Sequence, residues 1–569
     1  MALAAVAQSY RDKVGNLQPK TWFTLGNLVA GISVGAYVIP QAMAYGSLAG
    51  VGAAVGLATA IVPLLAYAIL GKHKWLSVGP ESAVALMAAA AAGPAAAASG
   101  LSPALVLPTM AAIVGLVLII GRFLKLAFLA DLLSVPVLVG YLTGIAVLMV
   151  MSQLQKLTGI DANTEDLWSL FTKTTWSTPN WVTLGIGVIV ALIAWGLPKI
   201  SPKIPGAVIA LAVAIVLGLL VDVPTIGPVT TGLPTFAVPD FSWSLVQSLF
   251  WPAVTVAAVA FTDVMVTSRA INDGQRSSPE REMIAVGGAQ LATGFFSGYP
   301  VSASSSRTAL ARSSGATSKH YSLVVAVMIL LAPILIGGLL EKIPQAGLAG
   351  IILYAAISLI ELPEWRKLRR LHRNEFAIAA SCTIAVLLFG ILPGIGFAIA
   401  ASVVAFLARL ARPTASVLGF TPMSQSMHAV DKHKKVETVP GLVVFRYEAP
   451  LFFINAPDFF TEAIDAMEPD TKVFVINMEA SPNLDTTSLD TLEDLVLSIH
   501  EQGAELWLAR TRHEVMLLLR KHGCYDTIGA DNFYETIGTA VAAYGEKYPE
   551  EAAAGPSQIP APAPAAEES

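Results

Sequence analysis

A chain of 569 residues that is 55% hydrophobic and only 13% charged, with a mean hydropathy of +0.65, falls outside the range of soluble domains and predicts a polytopic membrane protein. The net charge of −5 describes no single surface, because lysines and arginines segregate by loop and the acids gather in the C-terminal quarter, which argues against a nucleic-acid partner. Cys382 lies in an apolar stretch and Cys524 in a polar one, so no disulfide framework is expected.

Residues 1–22 lack a positive n-region followed by an apolar core and read as a cytoplasmic N-terminus without a cleaved signal peptide. Apolar segments follow at roughly 23–39, 51–70, 81–93, 104–121, 126–151, 180–197, 204–221, 246–268, 283–296, 302–312, 320–340, 346–360, 374–390 and 393–410. Taken as about fourteen spans, they place Lys72, Lys74, Arg122, Lys125 and most other basic residues, with Arg307 and Arg312 assigned to a loop, on one side. Only Lys156, Lys173 and Lys342 fall in the opposite loops, so both termini are expected in the cytoplasm, with the chain in the cell (inner) membrane. Seven spans in each half (about 23–221 and 245–410, within a transporter domain at 23–412) force the halves into opposite orientations, an inverted repeat.

Two segments sit at the third span of each half and share the pattern Ser-x-x-Pro-x-Ser: Ser77-Val78-Gly79-Pro80-Glu81-Ser82 and Ser297-Gly298-Tyr299-Pro300-Val301-Ser302. Each precedes a short stretch of small residues and predicts a half-helix that starts deep in the bilayer. Such a helix start leaves up to about four backbone N–H groups without partners, which an anion can satisfy. In the run Ser302-Ala303-Ser304-Ser305-Ser306-Arg307, hydroxyls add neutral donors and Arg307 adds charge. Isolated serines pack membrane helices together, whereas four beside an arginine after a helix break predict a binding site.

Gln41 and Tyr45 follow the break at Pro40 and lie four apart on one helical face. Asp263, with Thr267 one turn on, is an ionisable group at membrane depth and a candidate for coupling transport to a sodium ion or a proton. A structural aspartate paired with Arg269 is the alternative. Glu81 would repel an anion at the first half-helix, so it is expected to pair with Arg307 or to take up a proton during the cycle.

After Arg412 a linker is expected at 413–438, then a small α/β domain at 439–548 with a parallel-leaning sheet, and a disordered tail at 549–569. Strands are predicted at Leu442–Phe445, Val473–Ile476 and Leu506–Leu508. Helices are predicted near Ala456–Met467, Ser488–Glu501, Glu514–Lys521 and Thr536–Tyr544.

Ile39-Pro40-Gln41-Ala42-Met43-Ala44-Tyr45, the Ser77–Ser82 segment, and Phe295–Ser302 leading to Ser305-Ser306-Arg307-Thr308-Ala309 resemble the SulP (sulphate permease) family of anion transporters, and the C-terminal domain resembles a STAS domain. The resemblance covers nearly the whole chain. It implies a 7+7 inverted repeat divided into core and gate domains, elevator-like movement, a homodimer in membrane lipid, and an inorganic oxyanion substrate. By position it places substrate contacts on Gln41, Tyr45, the residue after Gly79-Pro80 (Glu81) and Ser306-Arg307, while Ser82, Ser304 and Ser305 are candidates from their place at the two helix starts. Many members have an aromatic or other apolar residue where Glu81 stands. Asp263 and Thr267 match sodium-dependent bicarbonate carriers, and a similarly placed acid in other members is implicated in proton coupling.

In STAS-like anti-sigma-factor antagonists, an Asp-Ser-Thr/Ser-Gly loop carries a phosphorylated hydroxyl. Here Asp485-Thr486-Thr487-Ser488 makes Thr486 or Thr487 the candidate acceptor and implies a cytoplasmic regulatory partner, while a plain helix cap explains the same residues. The expectation is a cation-coupled sulphate transporter rather than an enzyme, with no resident cofactor or metal beyond a transported sodium ion or proton. Bicarbonate or dicarboxylate transport, nucleobase permeation on the same fold, and a membrane-anchored signalling scaffold are the alternatives.

Overall fold

The computed structural model describes residues 24–127, 134–160, 170–172, 174, 176–201, 206–227, 229, 234–271, 278–421, 424–431 and 436–556. The expected N-terminal segment, much of the expected tail, and Lys173 lie outside them. The chain divides into two compact units, one up to Ser402 and one from Val403 onward.

The first unit is helical: α1 (Leu25–Leu48), α2 (Ala53–Leu70), α3 (Ser82–Ser99), α4 (Pro103–Phe123), α5 (Val135–Ser152), α6 (Trp181–Ile200), α7 (Gly206–Leu220), α8 (Trp243–Ala270), α9 (Pro279–Phe295), α10 (Ser305–Ser313), α11 (Tyr321–Leu340), α12 (Gln345–Leu359), α13 (Arg373–Phe389) and α14 (Ile391–Ala411), the last running across the boundary. Among the described residues, ten helices are long and apolar enough to cross a membrane. Side chains such as Trp181 and Phe389 face outward, as suits a lipid-facing surface.

One packing group joins α1–α4 with α8–α11; α5, α6, α7, α12 and α13 form another, and α1 and α3 touch both. The seams are narrow because glycines allow the backbones to meet. A Cβ on Gly56 of α2 would lie 2.1 Å from the Ala42 carbonyl oxygen of α1, and one on Gly140 of α5 would lie 2.1 Å from that of Ala379 in α13. α14 adds Ala398 to a small buried cluster with Val137 and Cys382.

The two proline-broken segments meet as a short antiparallel pair, β1 (Val78–Gly79) and β2 (Ser302–Ala303), with Val78 opposite Ala303 and Gly79 opposite Ser302. Two expectations change here. α3 has 18 residues and is no half-helix, whereas α10 has nine. Arg307 and Arg312, assigned above to a loop, lie within α10.

The matching six-residue segments are also out of register with the fold. The sequence match sets Glu81 opposite Val301, but the residue that caps α10, as Glu81 caps α3, is Ser304. Ser297 instead ends α9: it adopts φ 59°, its N–H donates to the Gly294 carbonyl, and the Gly298 N–H donates to that of Thr293. The shared pattern therefore reflects two different jobs.

The second unit holds a six-stranded sheet in the order β4-β3-β5-β6-β7-β8, built from β3 (Ala415–Thr421), β4 (Ser424–Ala429), β5 (Leu442–Tyr447), β6 (Val473–Asn477), β7 (Glu505–Ala509) and β8 (Phe533–Tyr534). β5 through β8 are parallel, while β3 runs antiparallel to β4 and β5. Helices α15 (Ala456–Asp465), α16 (Thr486–Glu501), α17 (His513–His522) and α18 (Ile537–Lys547) accompany it.

The expected linker at 413–438 is corrected: β3 and β4 occupy it, and their apolar Leu418 and Phe420 enter the core. The expected disorder from residue 549 is corrected in part, since Pro549–Ala554 is helical and Lys472 pairs with Glu551.

Asp485 caps α16. Its carboxylate accepts from the Ser488 N–H (2.9 Å) and hydroxyl (2.6 Å), and from the Phe453 N–H (2.8 Å). Partial burial opposes its charge, but these hydrogen bonds win and hold the carboxyl below the usual carboxylate range. Its contribution is full above the unfolded value, near pH 4, and is lost as pH falls through the lower folded value. Asp485→Ala should cost about 1 kcal/mol near neutral pH. The difference in melting temperature between wild type and variant should shrink in acid; a difference that grows below pH ~4 would contradict the cap.

Candidate functional site

The β1–β2 pair holds the site together. The Ser304 N–H donates to the Ser77 carbonyl (3.1 Å), the Ser77 N–H to the Thr308 hydroxyl (3.1 Å), and that hydroxyl to the Ser304 carbonyl (2.6 Å). From α9, the buried side-chain amide of Gln290 imitates a neighbouring strand, donating to the Val301 carbonyl (2.6 Å) and accepting from the Val301 N–H (3.0 Å). The chain is thus fixed on both sides of the helix break.

Arg307 is 2% exposed. It donates from Nη1 to the Pro80 carbonyl (2.7 Å) and from Nε to the Ser77 hydroxyl (3.3 Å), while Nη2 has no partner among the described residues. A Cβ on Gly79 would lie 3.6 Å from that Nη2, so the missing side chain leaves space beside it. Two of the guanidinium's arms hold β1, and one is left with donors to offer.

Glu81 does not pair with Arg307; no ion pair joins them among the described residues. Its carboxylate caps α3, accepting from the Ala83 N–H (2.8 Å), the Val84 N–H (3.1 Å) and the Ser82 hydroxyl (2.7 Å). The amides expected to receive an anion at this helix are therefore taken by the chain's own acid. At α10 the cap is Ser304, whose hydroxyl accepts weakly from the Arg307 N–H (3.4 Å) and lies 3.1 Å from the Ser306 hydroxyl; Ser305 and Ser306 are exposed. Of the two helix starts, the one at α10 is available.

Removing the Glu81 charge should improve anion binding. Glu81→Gln keeps an acceptor for the cap, so it should fold, at a cost of about 1 kcal/mol, and bind an anion more tightly. An unchanged anion affinity together with an unchanged pH dependence of binding would rule out any charge role for Glu81.

Gln41 and Tyr45 are buried on α1, which packs on α3 and α10. Pro40 lacks an N–H and so releases the Ala36 carbonyl from the helix ladder. Gln41 Oε1 has no partner among the described residues, and Tyr45 interacts with Glu81, Arg307 and Ser82. Asp263 of α8 accepts from the Ser302 hydroxyl (3.3 Å), which also approaches the Ala260 carbonyl (3.1 Å), so the acid is tied to β2. Thr267 is buried one turn on.

The structure thus brings Gln41, Tyr45, Glu81, Ser82, Arg307 and Asp263 around one strand pair, with Ser304, Ser305 and Ser306 at its α10 end. Ser77, Tyr299 and Ser302, from the two singled-out segments, join them, and so does Tyr141, which the sequence did not point to. The hydroxyls of Tyr299 and Tyr141 are buried without partners among the described residues; Tyr299 lies in the neighbourhood of Tyr45 and Arg307, and Tyr141 in that of Asp263 and Glu81. Thr486 and Thr487 belong to the second unit and are exposed at the first turn of α16.

Residues 24–382 match the model of the sulfate permease family, and residues 433–540 match the STAS domain. The chain belongs to the sulfate permease family. A probable sulfate transporter of Mycobacterium tuberculosis is 39% identical over 91% of this chain and 95% of its own. The fold matches the overall structure of SLC26A9 with a TM-score of 0.82 at 19% identity, covering 97% of this chain and 96% of that one. The transmembrane domain of a cyanobacterium bicarbonate transporter, BicA, matches with a TM-score of 0.58 at 21% identity, covering 65% of this chain and 97% of that one. As a member of the sulfate permease family the chain is a multi-pass membrane protein with a C-terminal STAS domain, in a family of transporters rather than enzymes.

Proposed function

We propose that this chain is a secondary active transporter of inorganic oxyanions, most simply sulfate, that moves its substrate through the site at the β1–β2 pair. The observation that carries this reading is the set of buried polar atoms there without partners among the described residues: Arg307 Nη2, Gln41 Oε1 and the hydroxyls of Tyr299 and Tyr141. A buried polar group left unpaired costs about 1–3 kcal/mol, so a cluster of such groups is suited to receiving a polar ligand. Most of them are donors, and with the helix start at Ser305 and Ser306 they suit a tetrahedral or planar oxyanion. The name carried by the Mycobacterium tuberculosis relative supports sulfate; bicarbonate and dicarboxylates share the same chemistry. Glu81 was the feature that favoured a nucleobase, and its commitment to the α3 cap removes that support.

In this reading fourteen spans form two inverted repeats of seven. The group α1–α4 with α8–α11 moves as an elevator against the other helices, in a homodimer in the inner membrane with both termini cytoplasmic. Asp263, beside Ser302 and one turn from Thr267, couples uptake to a sodium ion or a proton. Thr486 and Thr487 offer exposed hydroxyls for phosphorylation that would recruit or release a regulatory partner.

The test is uptake of labelled sulfate and bicarbonate into proteoliposomes under imposed sodium or proton gradients. Sulfate uptake driven by one gradient supports the proposal. Absence of any anion uptake, or uptake of uracil instead, defeats it. Asp263→Asn should abolish stimulation by the driving gradient while retaining sulfate exchange; full stimulation in that variant would remove Asp263 from coupling.

A further inference from the structure

We propose that the STAS domain carries a transition-metal site of the zinc class, with Glu493, His522 and Cys524 as ligands and Asp490 supporting the imidazole from behind. One ligand atom from each of these three residues lies within 4.8 Å of the others. The arrangement comes from two pieces of chain. Asp490 and Glu493 are three apart on α16 and so share a face. His522 ends α17 and Cys524 opens the next turn. Between them Gly523 adopts φ 103°, a conformation that side chains rarely take, and turns the chain so that the imidazole and the thiol face α16 together.

The imidazole sets the chemistry. Its Nε2 lies 2.8 Å from Asp490 Oδ1, and a hydrogen bond there from Nε2–H leaves a lone pair on Nδ1. Nδ1 is buried without a hydrogen-bond partner, and it faces Glu493 Oε2 at 3.7 Å. Two lone-pair atoms facing each other at that distance want a cation between them. An ion bonded to nitrogen and oxygen at about 2.0–2.2 Å in tetrahedral geometry separates them by roughly 3.3–3.5 Å, so this pair has to close by only a few tenths of an ångström to hold one.

The buried Cys524 thiol, now donating to the Leu489 carbonyl (3.6 Å), would supply the third ligand as a thiolate. Its proton passes to solvent when the metal binds. The fourth position is left for water. A thiolate and an imidazole with one carboxylate select zinc or a neighbouring transition metal over calcium or magnesium. The carboxylate on the far imidazole nitrogen is the support that metal-bound histidines ordinarily have. A doubly protonated imidazole bridging Asp490 and Glu493 is the competing arrangement, and it takes up no metal.

The full-length protein, purified in detergent and stripped with a chelator, is titrated with Co²⁺ and then Zn²⁺. The expected result is one Co²⁺ per chain with tetrahedral visible bands and a thiolate charge-transfer band, displaced by Zn²⁺. Cys524→Ser should lose the charge-transfer band and His522→Ala the stoichiometric binding, while Cys382→Ser keeps both. Asp490→Asn should weaken affinity on the order of 10- to 100-fold. Zn²⁺ should also raise the wild-type melting temperature, a readout that does not depend on how well the variants fold. The proposal is overturned by no stoichiometric binding to wild type, by an unmoved wild-type transition at saturating Zn²⁺, or by binding unchanged in both Cys524→Ser and His522→Ala.

Discussion

Arg307→Ala should bring sulfate uptake in proteoliposomes to background, and Arg307→Lys should leave a transporter with a sulfate KM raised roughly 10- to 100-fold. The figure follows from the 1.5–3 kcal/mol that a hydrogen bond to a charged group contributes, at about 1.4 kcal/mol per tenfold. The guanidinium does two things at once: Nη1 and Nε hold the Pro80 carbonyl and Ser77, and Nη2 faces the site. Lysine keeps the charge but has a single ammonium group, so it can serve either the strand or the anion, and both suffer. Alanine also strands the Pro80 carbonyl, which makes a fall in melting temperature part of the expected result. A variant with alanine at 307 that takes up sulfate with wild-type KM would remove this residue from the site.

Gln290→Leu should be nearly as damaging without touching the anion. The substitution matches the volume of the side chain but orphans the Val301 N–H and carbonyl together, at a cost of roughly 2–4 kcal/mol. The chain beside β2 then loses its anchor to α9, and Ser302, Ser304 and Arg307 lose their placement. The melting temperature of the purified protein should drop, and uptake per folded molecule should fall with it. Gln290→Glu, whose protonated carboxyl can both accept from the Val301 N–H and donate to its carbonyl, should retain more of both in acid and lose them as the carboxyl ionises. Unchanged melting and unchanged uptake in Gln290→Leu would show that the strand pair holds itself.

Much of this was legible in the residues. Long apolar runs interrupted by proline and basic loops located the helices, because a bilayer demands a minimum apolar length. Gln41, Tyr45, Asp263 and Arg307 stood out as polar groups where polarity is costly. The misreadings came from contacts between distant parts of the chain. Nothing local in Ser297 says that it ends α9 in a left-handed turn, so its likeness to Ser77 looked like symmetry. Glu81 looked like a partner for Arg307 because both are charged, yet the nearest free donors belong to its own helix. β3 and β4 were missed because Ser416, Gly419 and the polar residues of 424–429 dilute the strand pattern, and they are held by pairing, β3 with β5 and β4 with β3. Gln290 gave no signal at all: a glutamine in an alanine- and glycine-rich helix does not reveal the backbone it will bond.

The joining of β1 to β2 limits how the site can work. Backbone bonds, the Thr308 bridge and two arms of Arg307 weld the ends of α3 and α10 into one piece, so the two helix starts cannot part to let an anion through. Under the proposed elevator movement, a cradle joined in this way would present the same ligands to whichever side it faced. The anion should then be held with similar strength at both faces of the membrane, and the direction of net flow would come from the gradients imposed on the protein rather than from any difference in grip.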